Sequence, residues 1–189
     1  AIPGLWCHEA GQASFGDLLA WFVRSFPHSE DPDETFSYYN DAASRYRPGQ
    51  CGLVALDWWN GCRVPFGDSA LNGLLVGLNM RTTPTDIYRA LLESICFGAR
   101  RIVERITGNT TGVGELVLTG GLSQKNDGLM QLLADILGRT LRVPLLPHPT
   151  AFGAAIHGAV AAGLAGAVVA VAGACAGFCT GAGAFSIST

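Results

Sequence analysis

Residues 115–126 read Glu-Leu-Val-Leu-Thr-Gly-Gly-Leu-Ser-Gln-Lys-Asn, and this stretch decides the predicted fold of the chain. Residues 116–118 predict a short buried strand, because an apolar run ends abruptly at a turn signal. Gly120 and Gly121 predict a tight turn, since residues without a Cβ allow positive φ and close approach to the backbone. Such a turn before a helix can bind a phosphate or nucleotide through backbone N–H groups. It also occurs without any ligand, so both interpretations stay open here.

Strands and helices alternate around this stretch. After Asn126 the leucines and Ile136 recur at helical spacing, residues 140–143 predict a strand, and residues 152–162 predict a last helix whose small residues indicate tight packing. Alternation of strand and helix is typical of an α/β layered domain.

The residues before this stretch also contain both predicted helices and predicted strands. Residues 17–23 predict a helix, residues 53–56 a strand, and the polar, proline-containing residues 27–50 a surface excursion with a short helix. A longer helix is predicted to begin near Thr83, because Pro84 is tolerated in a first turn and Asp86 suits the helix dipole there. Its apolar stripe predicts packing on the sheet. The stripe consists of Ile87, Leu91, Ser94, Ile95, Gly98 and Ile102.

The charge balance argues against a nucleic-acid partner. The 189 residues carry a formal net charge of −3, the isoelectric point is near 5.7, and no basic patch is available to neutralise phosphates. A chain of this length buries a sizeable core and usually forms one domain.

The six cysteines, at positions 7, 51, 62, 96, 175 and 179, form no Cys-x-x-Cys pair, and no histidine near Cys175 and Cys179 completes a zinc site. They predict small buried side chains in a reducing compartment, which we expect to be the cytoplasm. The start has no secretory signal pattern. Residues 1–4, Ala-Ile-Pro-Gly, resemble the middle of a longer chain because no initiator methionine is present.

The C-terminal residues differ from the rest of the chain. No charged residue follows Arg142, and residues 164–185 form an uncharged run rich in alanine, glycine and valine. This run is long enough to span a bilayer. However, alanine and glycine contribute little transfer energy, and no basic flank or aromatic belt supports insertion. We therefore expect no membrane segment, a folded domain over residues 1–163, and an atypical, poorly ordered Ala/Gly-rich tail over residues 164–189.

Several segments together resemble the C-terminal domain of the FGGY family of carbohydrate kinases, over about residues 1–163. Residues 73–78 and 86–93 fit the second signature of that family. Residues 4–12, Gly-Leu-Trp-Cys-His-Glu-Ala-Gly-Gln, and residues 55–61, Ala-Leu-Asp-Trp-Trp-Asn-Gly, resemble its ribulose-phosphorylating branch more than its glycerol and xylulose kinases. The resemblance implies an α/β fold of the RNase H-like, actin-like ATPase type, with a mixed sheet flanked by helices.

The resemblance also implies an activity: ATP-dependent phosphorylation of a pentulose, with L-ribulose converted to L-ribulose 5-phosphate in L-arabinose breakdown, using ATP and Mg²⁺. Sugar and ATP would meet in a cleft between this domain and an N-terminal kinase domain. The catalytic aspartate and a phosphate-binding Gly-Thr turn belong to that N-terminal domain. The resemblance therefore implies no catalytic residue and no metal ligand in this chain, and predicts that the chain alone is inactive.

For individual residues, the resemblance implies that Gly120 and Gly121 lie beneath the nucleotide. Either Lys125 or Asn126 would contact the adenosine, and Gly16 would be a further glycine on the nucleotide side. Glu9 matches a carboxylate that faces the ribulose hydroxyls.

The alternative is a non-catalytic, actin-like domain that binds nucleotide or a partner protein and is inactive without the N-terminal domain. A homo-oligomer and the identity of the preferred pentulose stay open.

Overall fold

The computed structural model describes residues 7–108, 114–146, 148–164 and 182–185. The chain divides into two compact units, Ala1–Val113 and Gly114–Thr189. Most of the predicted tail, with Cys175 and Cys179, falls on residues outside the described ranges. Within those ranges, none of the helices has the length and apolar character needed to cross a bilayer.

The first unit contains three helices and a two-stranded sheet. Its elements in chain order are α1 (Gly16–Ser25), α2 (Pro32–Ser44), β1 (Val54–Leu56), β2 (Leu74–Val76) and α3 (Pro84–Thr107). β1 and β2 are antiparallel, with Val54 opposite Val76. The predicted helices at residues 17–23 and within residues 27–50, and the strand at residues 53–56, are confirmed.

Helix α3 begins where the sequence predicts, because Thr83 and Asp86 cap it reciprocally. The Thr83 hydroxyl accepts a hydrogen bond from the Asp86 N–H at 3.2 Å, and the Asp86 carboxylate accepts one from the Thr83 N–H at 2.8 Å. This capping box satisfies donors that a helix start leaves unpaired. Burial tends to raise the pKa of Asp86, but hydrogen bonds from Thr83 and Tyr46 outweigh it, so the pKa lies below the usual range.

Helices α1 and α2 pack against α3, which also packs against β1. Phe22 of α1 places its ring 5.1 Å from Tyr39 and 5.2 Å from Tyr88, measured between centroids. The Tyr88 hydroxyl donates to the Asn40 side chain at 2.8 Å, and burial raises the pKa of Tyr88 well above its usual value. The unit therefore has an aromatic core between its three helices. Leu19, Leu91, Ile95 and Cys96 complete this core.

A buried ion pair lies on the same helix. Arg89 and Glu93 are 4 % and 6 % exposed, and the Arg89 Nε lies 2.7 Å from the Glu93 Oε1. Arg89 also donates to the Ala43 carbonyl at 3.1 Å, and the Gly49 N–H donates to the Glu93 carboxylate at 3.0 Å. The pair therefore connects α3 to the end of α2 and to the turn that follows α2.

The second unit has a mixed three-stranded sheet. Its described elements are β3 (Leu116–Val117), α4 (Gly121–Lys125), α5 (Asp127–Leu137), β4 (Leu141–Pro144), α6 (Pro149–Ala161) and β5 (Ala182–Phe185). The strand order is β3-β4-β5, with β3 and β4 parallel and β4 and β5 antiparallel. The predicted helix after Asn126 and the predicted strand at residues 140–143 are confirmed. The apolar face of α5 and two residues of β4 form the core. These residues are Leu129, Met130, Leu132, Leu133, Ala134, Ile136, Leu141 and Val143.

Two details differ from the sequence-based expectation. Strand β3 is not fully buried, since Val117 is 43 % exposed; within the described sheet β3 is an edge strand that pairs only with β4. Helix α6 was expected to pack tightly, but none of residues 149–161, all of which are described, is buried. Its residues are mostly small or apolar on all sides of the helix, a composition typical of a helix that other elements cover, yet in the described chain they stay at least partly exposed.

Candidate functional site

The Gly-Gly turn of the second unit is open to solvent. Gly120 has a φ of +116°, which favours glycine, and Gly121 starts α4. A Cβ built on either residue would have no heavy atom of the described chain within 4 Å. The Ser123 hydroxyl donates to the Gly120 carbonyl at 2.7 Å and stabilises the turn from inside. The turn therefore offers exposed backbone next to unfilled space.

Lys125 and Asn126, the two candidates for an adenosine contact, differ in environment. Asn126 is 7 % exposed, and its side-chain oxygen accepts a hydrogen bond from the Leu129 N–H at 2.9 Å. It is thus the N-cap of α5, a role that asparagine favours. Lys125 is exposed at the end of α4. The Asn126 side chain therefore has a structural role, whereas the Lys125 side chain faces solvent.

Gly16 lies in the first unit, where it begins α1. The Asp17 carboxylate in the first turn of this helix accepts hydrogen bonds from the Phe15 N–H at 2.7 Å and the Leu18 N–H at 3.1 Å. Asn60 donates to the other oxygen of Asp17 at 3.2 Å. The partial positive charge at the N-terminus of α1 is therefore compensated by a carboxylate of the helix's own first turn.

Glu9 is exposed and lies in residues 7–14, which form neither helix nor strand. Close to it in sequence, Gln12 lines a cleft of about 310 Å³ with Asp57, Arg63 and Gly98. Partial burial raises the pKa of the Asp57 carboxyl above its usual range, and the hydrogen bond from Gln12 offsets part of that rise. This cleft lies wholly within the first unit.

The structure thus places Gly120 and Gly121 at the start of α4 and Lys125 and Asn126 at its end, while Glu9 and Gly16 belong to the other unit. The sequence-based prediction did not include Gln12, Asp57 or Arg63 as cleft residues. The one available signal was Gly98 in the apolar stripe of α3, because a glycine there permits close approach. In the described ranges, no group of three His, Cys, Asp or Glu side chains could hold a metal ion.

Comparison with known proteins agrees with this architecture. The model for the FGGY family of carbohydrate kinases, C-terminal domain, matches residues 1–162. The chain is 44 % identical to the ribulokinase of Halalkalibacterium halodurans over 169 residues, which is 86 % of this chain and 30 % of that protein. It is 42 % identical to the ribulokinase of Geobacillus thermodenitrificans with the same coverage. The chain therefore spans about 30 % of the length of these curated relatives.

Among solved structures, the ligand-bound xylulose kinase of Lactobacillus acidophilus superimposes with a TM-score of 0.72 at 22 % identity, covering 92 % of this chain and 34 % of that chain. At this identity the likeness concerns the fold alone, which is the actin-like ATPase fold expected from the sequence. The family match covers most of the chain, and the ribulokinases resemble it more closely in sequence than this neighbour does. The chain belongs to the FGGY family of carbohydrate kinases, as its C-terminal domain.

Proposed function

We propose that the protein carrying this chain transfers a phosphoryl group from ATP to L-ribulose and forms L-ribulose 5-phosphate. The observation that carries the proposal is the 44 % identity to a ribulokinase over 86 % of the chain. Because the chain spans about 30 % of that relative, it contributes one side of the active site. The remainder, including the catalytic base, would come from the N-terminal kinase domain.

In this proposal the backbone of the turn at Gly120 and Gly121 lines the ATP site. Phosphoryl transfer depends on positioning the nucleotide and stabilising developing charge, rather than on covalent chemistry by the protein. The open space above both glycines supports the role, since a nucleotide can approach the backbone there. Mg²⁺ accompanies ATP in such reactions, and we assign it no ligand in this chain.

Lys125, rather than Asn126, is the proposed adenosine contact. The oxygen of Asn126 is already used to cap α5, and its side chain is buried. Lys125 is exposed at the C-terminal end of α4. Gly16 and Glu9 keep the roles that the family resemblance implies, with Gly16 on the nucleotide side and Glu9 facing the sugar. The cytoplasm, which the cysteine pattern of the sequence predicts, is the proposed location.

The test is a coupled ADP-release assay on the full-length protein, with L-ribulose as the sugar. Gly121→Asp adds a carboxylate to open space at a residue with ordinary φ, so the backbone is not strained. We expect the KM for ATP to rise about tenfold or more, which corresponds to at least about 1.4 kcal/mol of lost binding. Lys125→Ala should raise the same KM by a smaller factor. The KM for L-ribulose should stay unchanged in both variants.

The matched control is Gly158→Asp, which introduces the same carboxylate on α6 at a glycine that also faces open space. It should leave both KM values unchanged. An unchanged KM for ATP in Gly121→Asp would remove the turn from the nucleotide site. Absence of any ribulose-dependent ADP release in the unmodified full-length protein would contradict the proposed reaction. The isolated chain is expected to be inactive in the same assay.

A further inference from the structure

The segment that carries Glu9 depends on side chains for its placement. Residues 7–14 form neither helix nor strand, so no regular backbone ladder fixes the direction in which Glu9 points. Glu9 itself is exposed, whereas Ser14 at the end of the segment is buried. Side-chain contacts made between these two residues can therefore constrain Glu9.

Gln12 supplies the first contact. Its side-chain nitrogen donates to the Asp57 carboxylate at 2.6 Å and to the Ile95 carbonyl at 3.1 Å. Asp57 directly follows β1, and Ile95 is fully buried in the middle of α3. One amide group therefore joins the irregular segment to a strand end and to the central helix of the unit. A hydrogen bond to a charged acceptor is stronger than one between neutral groups.

Gly98 makes this junction possible. A Cβ at this position would collide with the Asp57 carboxylate and would lie 2.5 Å from the Gln12 side-chain nitrogen. Glycine within a helix is unfavourable relative to alanine. α3 therefore has a residue of low helix propensity where the Gln12 and Asp57 side chains contact it. The position is consistent with selection for space at the junction rather than for helix stability.

Arg63 makes a further contact with the segment. A Cβ on Gly11 would lie 2.9 Å from the Arg63 Nη1 and 3.0 Å from its Cζ, so the guanidinium rests directly on the Gly11 backbone. Gly11 thus contacts Arg63, while Gln12 is bonded to Asp57 and Ile95. These contacts lie two and three residues after Glu9.

We propose that Gln12, Asp57 and Gly98 are positioning residues that fix the orientation of Glu9 toward the sugar hydroxyls. The inference rests on the proposed sugar contact of Glu9 and extends it to residues far away in sequence. Gln12 bonds the segment to α3 through the Ile95 carbonyl, and Asp57 accepts a second hydrogen bond from the same amide. Gly98 leaves space for the side chains of Gln12 and Asp57. None of the three needs to touch the sugar.

The experiment measures both KM values in the full-length protein. Gln12→Leu removes the donor while keeping a similar size, and we expect the KM for L-ribulose to rise about tenfold while the KM for ATP changes less than twofold. Asp57→Leu should have the same effect as Gln12→Leu. Asp57→Asn keeps an oxygen acceptor for Gln12 and should retain a KM for L-ribulose within about twofold of the parent. A general loss of structure would lower the apparent kcat without a selective rise in the KM for L-ribulose, and it would not be rescued by asparagine.

Two further measurements separate the outcomes. The double variant Gln12→Leu with Asp57→Leu should be no worse than either single variant, because contacting residues are not additive. Gly98→Ala should raise the KM for L-ribulose while hydrogen exchange in the core of α3 stays slow, and exchange in residues 7–14 should become faster.

Glu9→Gln distinguishes the inference from the proposed function. A raised KM for L-ribulose in Glu9→Gln, with an unchanged value in Gln12→Leu and Gly98→Ala, would overturn the positioning role and leave the sugar contact intact. An unchanged KM in Glu9→Gln would overturn the sugar contact, and the positioning role with it.

Discussion

The two segments that carry the candidate site residues are held in different ways. The turn at Gly120 and Gly121 is fixed locally, by a positive φ and by a hydrogen bond from Ser123 three residues away. The segment around Glu9 is fixed by side chains from β1 and α3, through Gln12. One part of the candidate site is therefore encoded in a few neighbouring residues, whereas the other depends on the packing of the first unit.

The strongest test of that packing is the buried ion pair of α3. Glu93→Leu leaves Arg89 buried without its carboxylate partner, so we expect the free energy of unfolding of the first unit to fall by about 3–5 kcal/mol. All four tryptophans of the chain lie in residues 1–59, so urea unfolding followed by tryptophan fluorescence reports on this unit.

The control for Glu93→Leu lies on the same helix at the same spacing. Arg100 and Glu104 form an exposed pair with the same 2.7 Å separation as Arg89 and Glu93. Glu104→Leu should change the free energy of unfolding by less than about 1 kcal/mol, because exposed pairs contribute little. Equal losses in the two variants would mean that burial does not distinguish the pairs, and the first unit would then depend less on side-chain contacts than we infer.

A smaller effect tests the local character of the Gly-Gly turn. Gly120→Ala forces a side chain into a left-handed conformation, and we expect a loss of about 1–3 kcal/mol in local stability. Gly121→Ala, with ordinary φ and open space, should be neutral or slightly stabilising. Hydrogen exchange in peptides covering residues 114–137 measures both. Similar effects in the two variants would show that open space, rather than backbone conformation, defines the turn.

The smallest expected effect is a pH dependence of the free energy of unfolding that comes from Asp57, the carboxylate to which Gln12 is bonded. Because the pKa of Asp57 is raised in the folded state, the folded protein binds its proton more tightly than the unfolded chain does. Stability should therefore fall as the pH rises from the unfolded pKa of about 3.8 through the folded pKa, and stay constant above it. Asp57→Asn lacks this proton, so its stability relative to the parent should increase across that window.

Urea titrations of the parent and of Asp57→Asn at a series of acidic pH values measure this difference. A constant difference between the two proteins at all pH values would mean that Asp57 titrates alike in the folded and unfolded states.

Local signals in the sequence predicted much of the fold. Thr83, Pro84 and Asp86 predicted the start of α3, because a capping box involves only neighbouring residues. Gly120 and Gly121 predicted a tight turn for the same reason. The short helix α4 was not predicted, since its five residues, Gly121–Lys125, are too few to show helical periodicity.

Long-range contacts could not be predicted in this way. Arg89–Glu93 and Arg100–Glu104 have the same residue types and spacing, yet one pair is buried and the other exposed. The difference comes from the Ala43 carbonyl and the Gly49 N–H, which reach Arg89 and Glu93 from another part of the chain. The Gln12–Asp57 bond likewise joins residues that no local pattern connects.

The pairing of β5 with β4 has a consequence for how the chain folds during synthesis. β4 lies between β3, which precedes it closely, and β5, in which Ala182 pairs with Pro144 from far along the sequence. Closing so long a loop is entropically unfavourable, and pairs of high sequence separation form slowly. β4 therefore keeps one unpaired edge until β5 has been synthesised and has paired with it. During that interval the edge can pair with another chain. Formation of the second unit is therefore the step at which we expect misassembly to compete with folding.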